Sequence, residues 1–90
     1  MGAVAESMRG KLTDALSPTR LEILDDSARH AGHAGARAGG ESHFTVTIQS
    51  AAFAGLGRVQ RQRLVYDALS EALAGPVHAL SLKALAPGEN

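Results

Sequence analysis

Apolar and polar positions alternate with two different periods along this chain, and the switches between them mark out the elements. Over residues 4–16 the apolar positions return at steps of three and four. Val4, Met8, Leu12, Ala15 and Leu16 share one face with Lys11, while Glu6, Arg9 and Asp14 fall on the other. This predicts a helix, slightly weakened by Gly10 and ended by Ser17-Pro18, because the residue before a proline avoids the helical region. Over residues 19–26, Leu21 and Ile23 flank Glu22, and Leu24 precedes an acidic pair, which predicts a half-buried strand. The clearest strand is predicted over 43–50, where Phe44, Val46 and Ile48 point one way and Thr45, Thr47 and Gln49 the other. Ser50 is placed to cap a short helical turn over 51–54, closed by Gly55. A long helix is predicted over 58–74, with the stripe Val65, Ala68, Leu69, Ala72 and Leu73 and with Arg61 and Arg63 on its polar side. Gly75-Pro76 ends it. A third strand is predicted over 77–84, and residues 86–90 read as a loose tail.

The resulting order is helix, strand, strand, helix, helix, strand. One sheet of three strands, its apolar face covered by amphipathic helices, makes a two-layer α+β sandwich. Residues 1–85 form one domain followed by the tail 86–90. Residues 27–40 fit none of these elements. They are rich in glycine and alanine and carry no large apolar side chain, so they cannot bury enough surface to offset the entropy of ordering. They read as a long mobile loop, and such a loop inside a compact domain is more often functional than accidental.

Composition narrows the chemistry. A 90-residue chain buries roughly 60–65% of its unfolded surface, so binding chemistry belongs on the outside rather than in a deep pocket. The chain has no cysteine and no tryptophan, two phenylalanines and one tyrosine, so the core is aliphatic and a disulfide or self-contained thiolate site is excluded. Its net charge is zero with neutral histidines, which argues against a generic polyanion binder and leaves only a local basic patch. No stretch has the features of a secretory signal or the length of a membrane span, so the expectation is a soluble cytoplasmic protein.

Four histidines stand out: His30 and His33 in the 27–40 loop, His43 opening the second strand, and His78 just after Pro76. Imidazole is the side chain here best suited to a borderline metal, although exposed loop histidines are more often merely solvated. An all-histidine zinc site lacks any recognisable spacing. Ser27, Asp25 and His30 lack the strained turn of a nucleophile elbow, so a hydrolytic triad has no support. Arg58, Arg61 and Arg63 read as a solvated helix face that could contact a partner or phosphate.

Several stretches together resemble the BolA family. Asp25-Asp26-Ser27-Ala28-Arg29-His30 is similar to its Asp-Glu-Ser-x-x-His stretch, and Glu41-Ser42-His43-Phe44 to its Glu-Ser/Thr-His-Phe strand start. Phe53-Ala54-Gly55 with Arg61-Gln62-Arg63-Leu64-Val65-Tyr66 resembles the Phe-x-Gly and Arg-His-Arg signature, and Val77-His78-Ala79-Leu80 the Val-His-Ala-Leu ending. The resemblance runs nearly the whole chain, in order. It implies a class II KH-like topology and a non-catalytic role: partnership with a monothiol glutaredoxin and glutathione, sharing a bridging 2Fe–2S cluster. The chain alone would be a monomer without cofactor, and a heterodimer with its partner. By the same resemblance His78 is a cluster ligand and the second comes from the loop, His30 by its spacing from Ser27, with His33 as competitor. Such a cluster needs four ligands; two histidines supply half, and a chain without cysteine needs the rest from outside. Imidazole binds only when deprotonated, so the cluster is expected to be acid-labile. The role implied is cluster assembly, trafficking or iron signalling. The alternative, from family members described as transcriptional regulators, is DNA binding through the KH-like fold. Gln62 stands where the family has the middle histidine of Arg-His-Arg, and Gly55-Leu56-Gly57 is not the Gly-x-x-Gly clamp of KH domains; both weaken it.

Overall fold

In a computed structural model of the chain, which describes residues 3–25, 43–75, 77 and 79–89, helix α1 (Ala3–Leu16) leads into strand β1 (Arg20–Asp25). Strand β2 (His43–Gln49) follows, then a 3-10 turn (Ala51–Phe53), helices α2 (Arg58–Ala68) and α3 (Ser70–Ala74), and strand β3 (Ala79–Leu85). The sheet order is β1-β2-β3. β1 runs antiparallel to β2, and β3 runs parallel to it. A parallel pair cannot be closed by a hairpin, and the 3-10 turn, α2 and α3 make the crossover. The predicted α+β order is the observed one.

The register puts the apolar rows on one face. Leu21 sits opposite Ile48 and Ile23 opposite Val46 on one side of β2. On the other side Phe44, Val46 and Ile48 face Leu80, Leu82 and Ala84. Phe44, Val46 and Ile48 are buried to 2% exposure or less. They pack with Met8, Leu12 and Leu16 of α1, Phe53 of the 3-10 turn, Val65 of α2, and Leu69 and Ala72 in one cluster. Among the described residues, no helix lies over the opposite face. It carries Thr45 and Thr47, half-buried, and exposed Glu22, Ser81 and Lys83.

Four details depart from the sequence pattern. The buried stripe of α1 is Ala5, Met8, Leu12 and Leu16, whereas Ala15 is exposed and Val4 and Lys11 are half-buried. The helix is rotated slightly toward Ala5, and Lys11 reaches Glu71 at 3.2 Å. The long helix over 58–74 changes direction at Leu69, whose φ of −103° and ψ of 15° leave the helical range. Its flanking bonds persist, Leu69 N–H to the Val65 carbonyl and Leu73 N–H to the Leu69 carbonyl, each 3.0 Å. The third strand starts at Ala79 because the Val77 N–H is taken by the Ala72 carbonyl at 3.0 Å, which makes Val77 part of the helix exit.

The fourth departure lies in residues 86–89, part of the loose tail expected over 86–90. Ala86–Glu89 is a turn, its Glu89 N–H bonded to the Ala86 carbonyl at 3.1 Å. Gln49 Nε2 donates to the carbonyls of Ala86 and Glu89 at 3.0 and 3.2 Å. Ala86 is 6% exposed. Residues 86–89 are thus tied by hydrogen bonds to the end of β2, and Asn90 lies outside the described residues.

Candidate functional site

The strand register gathers three pieces of chain at one end of the sheet. β1 finishes at Asp25, opposite Phe44, so residues 26–42 leave from this end and return to it at His43. His43 in turn lies opposite Ala79, the first residue of β3 and the one that follows His78. Consecutive residues are 3.8 Å apart at Cα, which ties position 78 to the rim where the segment bearing His30 and His33 is anchored. His30, His33 and His78 themselves lie outside the described residues, as does the expected loop over 27–40. His43 is half-buried and shares its sheet face with Thr45, opposite to Phe44. Among the described residues, no three His, Cys, Asp or Glu side chains come together in a way that could hold a metal ion.

The donor chemistry fits part of a 2Fe–2S site. A chain with four histidines and no cysteine can offer neutral imidazoles to an iron but no thiolate. The residues that would hold the cluster are His78 and one of His30 and His33.

At the opposite end of the sheet the three arginines of α2 separate in role. Arg61 does not lie on a solvated face. Its side chain is 15% exposed. Its Nε donates to the Leu56 carbonyl at 3.0 Å and its Nη1 to the Ala84 carbonyl at 3.1 Å. It holds Glu89 through both nitrogens, Nη1 to Oε1 at 2.6 Å and Nη2 to Oε2 at 3.1 Å. This is the bidentate fork that guanidinium forms with carboxylate. The Ala86 N–H also donates to Glu89 Oε1, at 2.8 Å. The Arg61 hydrogen bonds first, and that backbone N–H second, pull the Glu89 carboxyl down to about 2, and the carboxylate in turn raises Arg61 above its usual value. The separation of 28 positions hides this pair from any local pattern. Arg58 and Arg63 are exposed and carry no hydrogen bond or ion pair among the described residues, so of the three they are the ones available for a contact. Gln62 is half-buried and lines a 120 Å³ crevice with Arg58, Arg61, Leu82, Lys83 and Ala84. Among the described residues no helix is long and apolar enough to cross a membrane.

These surfaces define a small α+β domain, a three-stranded sheet with helices on one face and with Asp25, His43 and Ala79 at one rim. The BolA-like protein family model matches residues 12–89. BolA-like protein 1 of Mus musculus is 48% identical over 88 residues, which cover 98% of this chain and 61% of that protein. The DNA-binding transcriptional regulator BolA of Escherichia coli K12 is 40% identical over 79 residues, 88% of this chain and 71% of that one. The solved BolA domain of SufE1 from Arabidopsis thaliana superposes with a TM-score of 0.86 at 42% identity, covering 97% of this chain and 95% of that one. The chain belongs to the BolA-like family. It spans about three fifths of the length of the mouse relative.

Proposed function

We propose that this chain is a non-catalytic partner of a monothiol glutaredoxin, and that it lends His78 and one of His30 and His33 to a 2Fe–2S cluster bridging the two proteins. The observation that carries the reading is the His43–Ala79 register pair, which ties position 78 to the rim where residues 26–42 are anchored. The absence of cysteine supports it, because such a chain is suited to complete a site rather than to hold one alone. The bound cluster supplies one-electron chemistry and a transferable iron–sulfide unit. The role of the chain is then assembly, delivery or iron signalling, as a monomer that forms a heterodimer through its partner with glutathione.

The test mixes the purified chain with a monothiol glutaredoxin carrying its cluster. A new visible circular dichroism spectrum is expected, together with two nitrogen ligands in pulsed electron paramagnetic resonance of the reduced cluster. His78→Ala removes that spectrum. His30→Ala weakens the complex more than His33→Ala, and the double variant loses loop ligation. An unchanged spectrum in His78→Ala, or two nitrogen ligands in the loop double variant, refutes the assignment; His43 is then the next ligand to vary.

A second reading has one observation in its favour: the Escherichia coli relative is named a DNA-binding regulator. The zero net charge and the commitment of Arg61 to Glu89 limit the phosphate contacts available here. DNA binding is therefore weak and salt-dependent in this reading of the chain. A sequence-selective complex at physiological salt, on the order of 10⁻⁸ M or tighter, would promote the regulator role.

A further inference from the structure

Among the described residues β3 pairs with β2 alone, so its outer side is a sheet edge. Two hydrogen bonds determine which of its backbone groups look outward. The Leu85 carbonyl accepts from the Ser50 N–H at 3.0 Å, on the β2 side. Because strand residues alternate, Lys83 and Ser81 turn their N–H and carbonyl groups toward β2 as well. The Ala84 carbonyl accepts from Arg61 on the other side. Leu82 and Leu80 follow Ala84 and present theirs to the free edge. Sheet edges are commonly blunted by proline, a bulge or a covering segment. Between Leu80 and Ala84 the described contact that covers this edge is Arg61 on Ala84.

The 120 Å³ crevice lies against this edge, between β3 and the first turns of α2. Among the described residues no carboxylate lines it. The charge of Arg61 is neutralised by Glu89. The side chains of Arg58 and Lys83 are exposed and have no ion pair or hydrogen bond among the described residues, which sets two positive charges beside the outward backbone donors and acceptors of β3.

We infer that the outer edge of β3 receives an extended acidic segment of a partner protein as a fourth strand, with side chains on its α2 side entering the crevice beside Arg58 and Gln62. Strand addition supplies affinity through main-chain hydrogen bonds and selectivity through the alternate side chains. A nucleic-acid backbone would answer the two cations but leave the Leu80 and Leu82 amides unpaired, and no aromatic ring lines the crevice to stack a base. An acidic strand answers both. The crevice end of this edge, at Leu82–Ala84 beside Arg58, is remote from Ala79, so charge reversal there reads strand addition separately from cluster ligation.

The test titrates the ¹⁵N-labelled full chain with a capped heptapeptide, Thr-Glu-Val-Glu-Val-Glu-Thr. Expected are chemical-shift changes along β3 and α2 and slowed amide exchange at Leu80 and Leu82. The exposed double variant Arg58→Glu/Lys83→Glu weakens binding by about tenfold or more, as loss of two charge contacts would. The same peptide with proline at its third position does not bind. Shifts located elsewhere, no protection of Leu80 and Leu82, or equal binding of the lysine counterpart of the peptide would overturn the inference. So would displacement of the peptide by an eight-residue oligothymidylate at lower concentration than the peptide itself, which would make the edge a nucleic-acid site.

Discussion

Ser50→Ala removes one oxygen that three elements share. Ser50 is fully buried. Its Oγ donates to the Leu16 carbonyl at 2.5 Å and accepts from the Ala52 N–H at 3.1 Å. Leu16 is the last residue of α1, so its carbonyl is one of those a helix end leaves without an internal partner. Alanine would strand that carbonyl beside a residue only 8% exposed, and would uncap the 3-10 turn that carries Phe53. An orphaned buried acceptor costs about 1–3 kcal/mol and a lost serine cap about 0.5–2 kcal/mol. Both losses come from the same atom and overlap, so the expected total is about 2–3 kcal/mol. A domain of this size has about 5–13 kcal/mol of stability in all, and the loss lowers the melting temperature by about 10–20 °C. Urea unfolding followed by circular dichroism measures it directly, with an unchanged m-value. Ser81→Ala, on the exposed sheet face, is the control and stays within about 0.5 kcal/mol. Ser50→Ala within that same margin would refute the assignment of the buried oxygen as a structural tie. The variant is expected to leave the proposed glutaredoxin complex unchanged, because Ser50 lies at the sheet end away from Ala79.

Other perturbations read other parts of the structure. Phe53→Ala, at a side chain with no exposed surface, costs about 3–5 kcal/mol in the same unfolding assay. Ser17 has a φ of 45°, in the left-handed region that follows a helix end, so Ser17→Gly raises stability by about 0.5–1 kcal/mol; a loss would show that Ser17 is not strained. The Glu89 carboxyl is depressed to about 2 in the folded chain against about 4.3 when unfolded. Its contribution is therefore complete above the unfolded value and lost as pH falls through the folded one. The stability gap between the native chain and Glu89→Gln stays constant above about pH 5 and closes toward pH 2; a gap that closes near pH 6 would contradict the sign. For the proposed glutaredoxin complex, the expected outcome is that its visible absorption is lost as pH falls below the ordinary imidazole range of about 6.5, faster than that of the glutaredoxin alone.

Much of the fold was legible in the chain because its elements are short and their signals local. The alternation of Phe44, Val46 and Ile48 with threonines needs no partner to declare a one-sided strand. Ser50, Gly55 and Ser17-Pro18 mark boundaries through backbone chemistry that acts within a few residues. The lack of cysteine and the four histidines set the donor chemistry before any geometry, and the linked motifs named the family that the family model matches over residues 12–89. What the tertiary structure decided is whatever depends on residues distant in sequence. The parallel pairing of β3 with β2 brings Ala79 beside His43, a meeting no periodicity encodes. Arg61 fits the polar side of a helix until the turn at Ala86–Glu89 folds back and supplies Glu89, 28 residues away. Arg58 and Arg63, on the same helix, stay in solvent. Side-chain period reports which face a residue occupies; whether that face meets water, a carboxylate or another strand is settled by the energetics of bringing remote segments together.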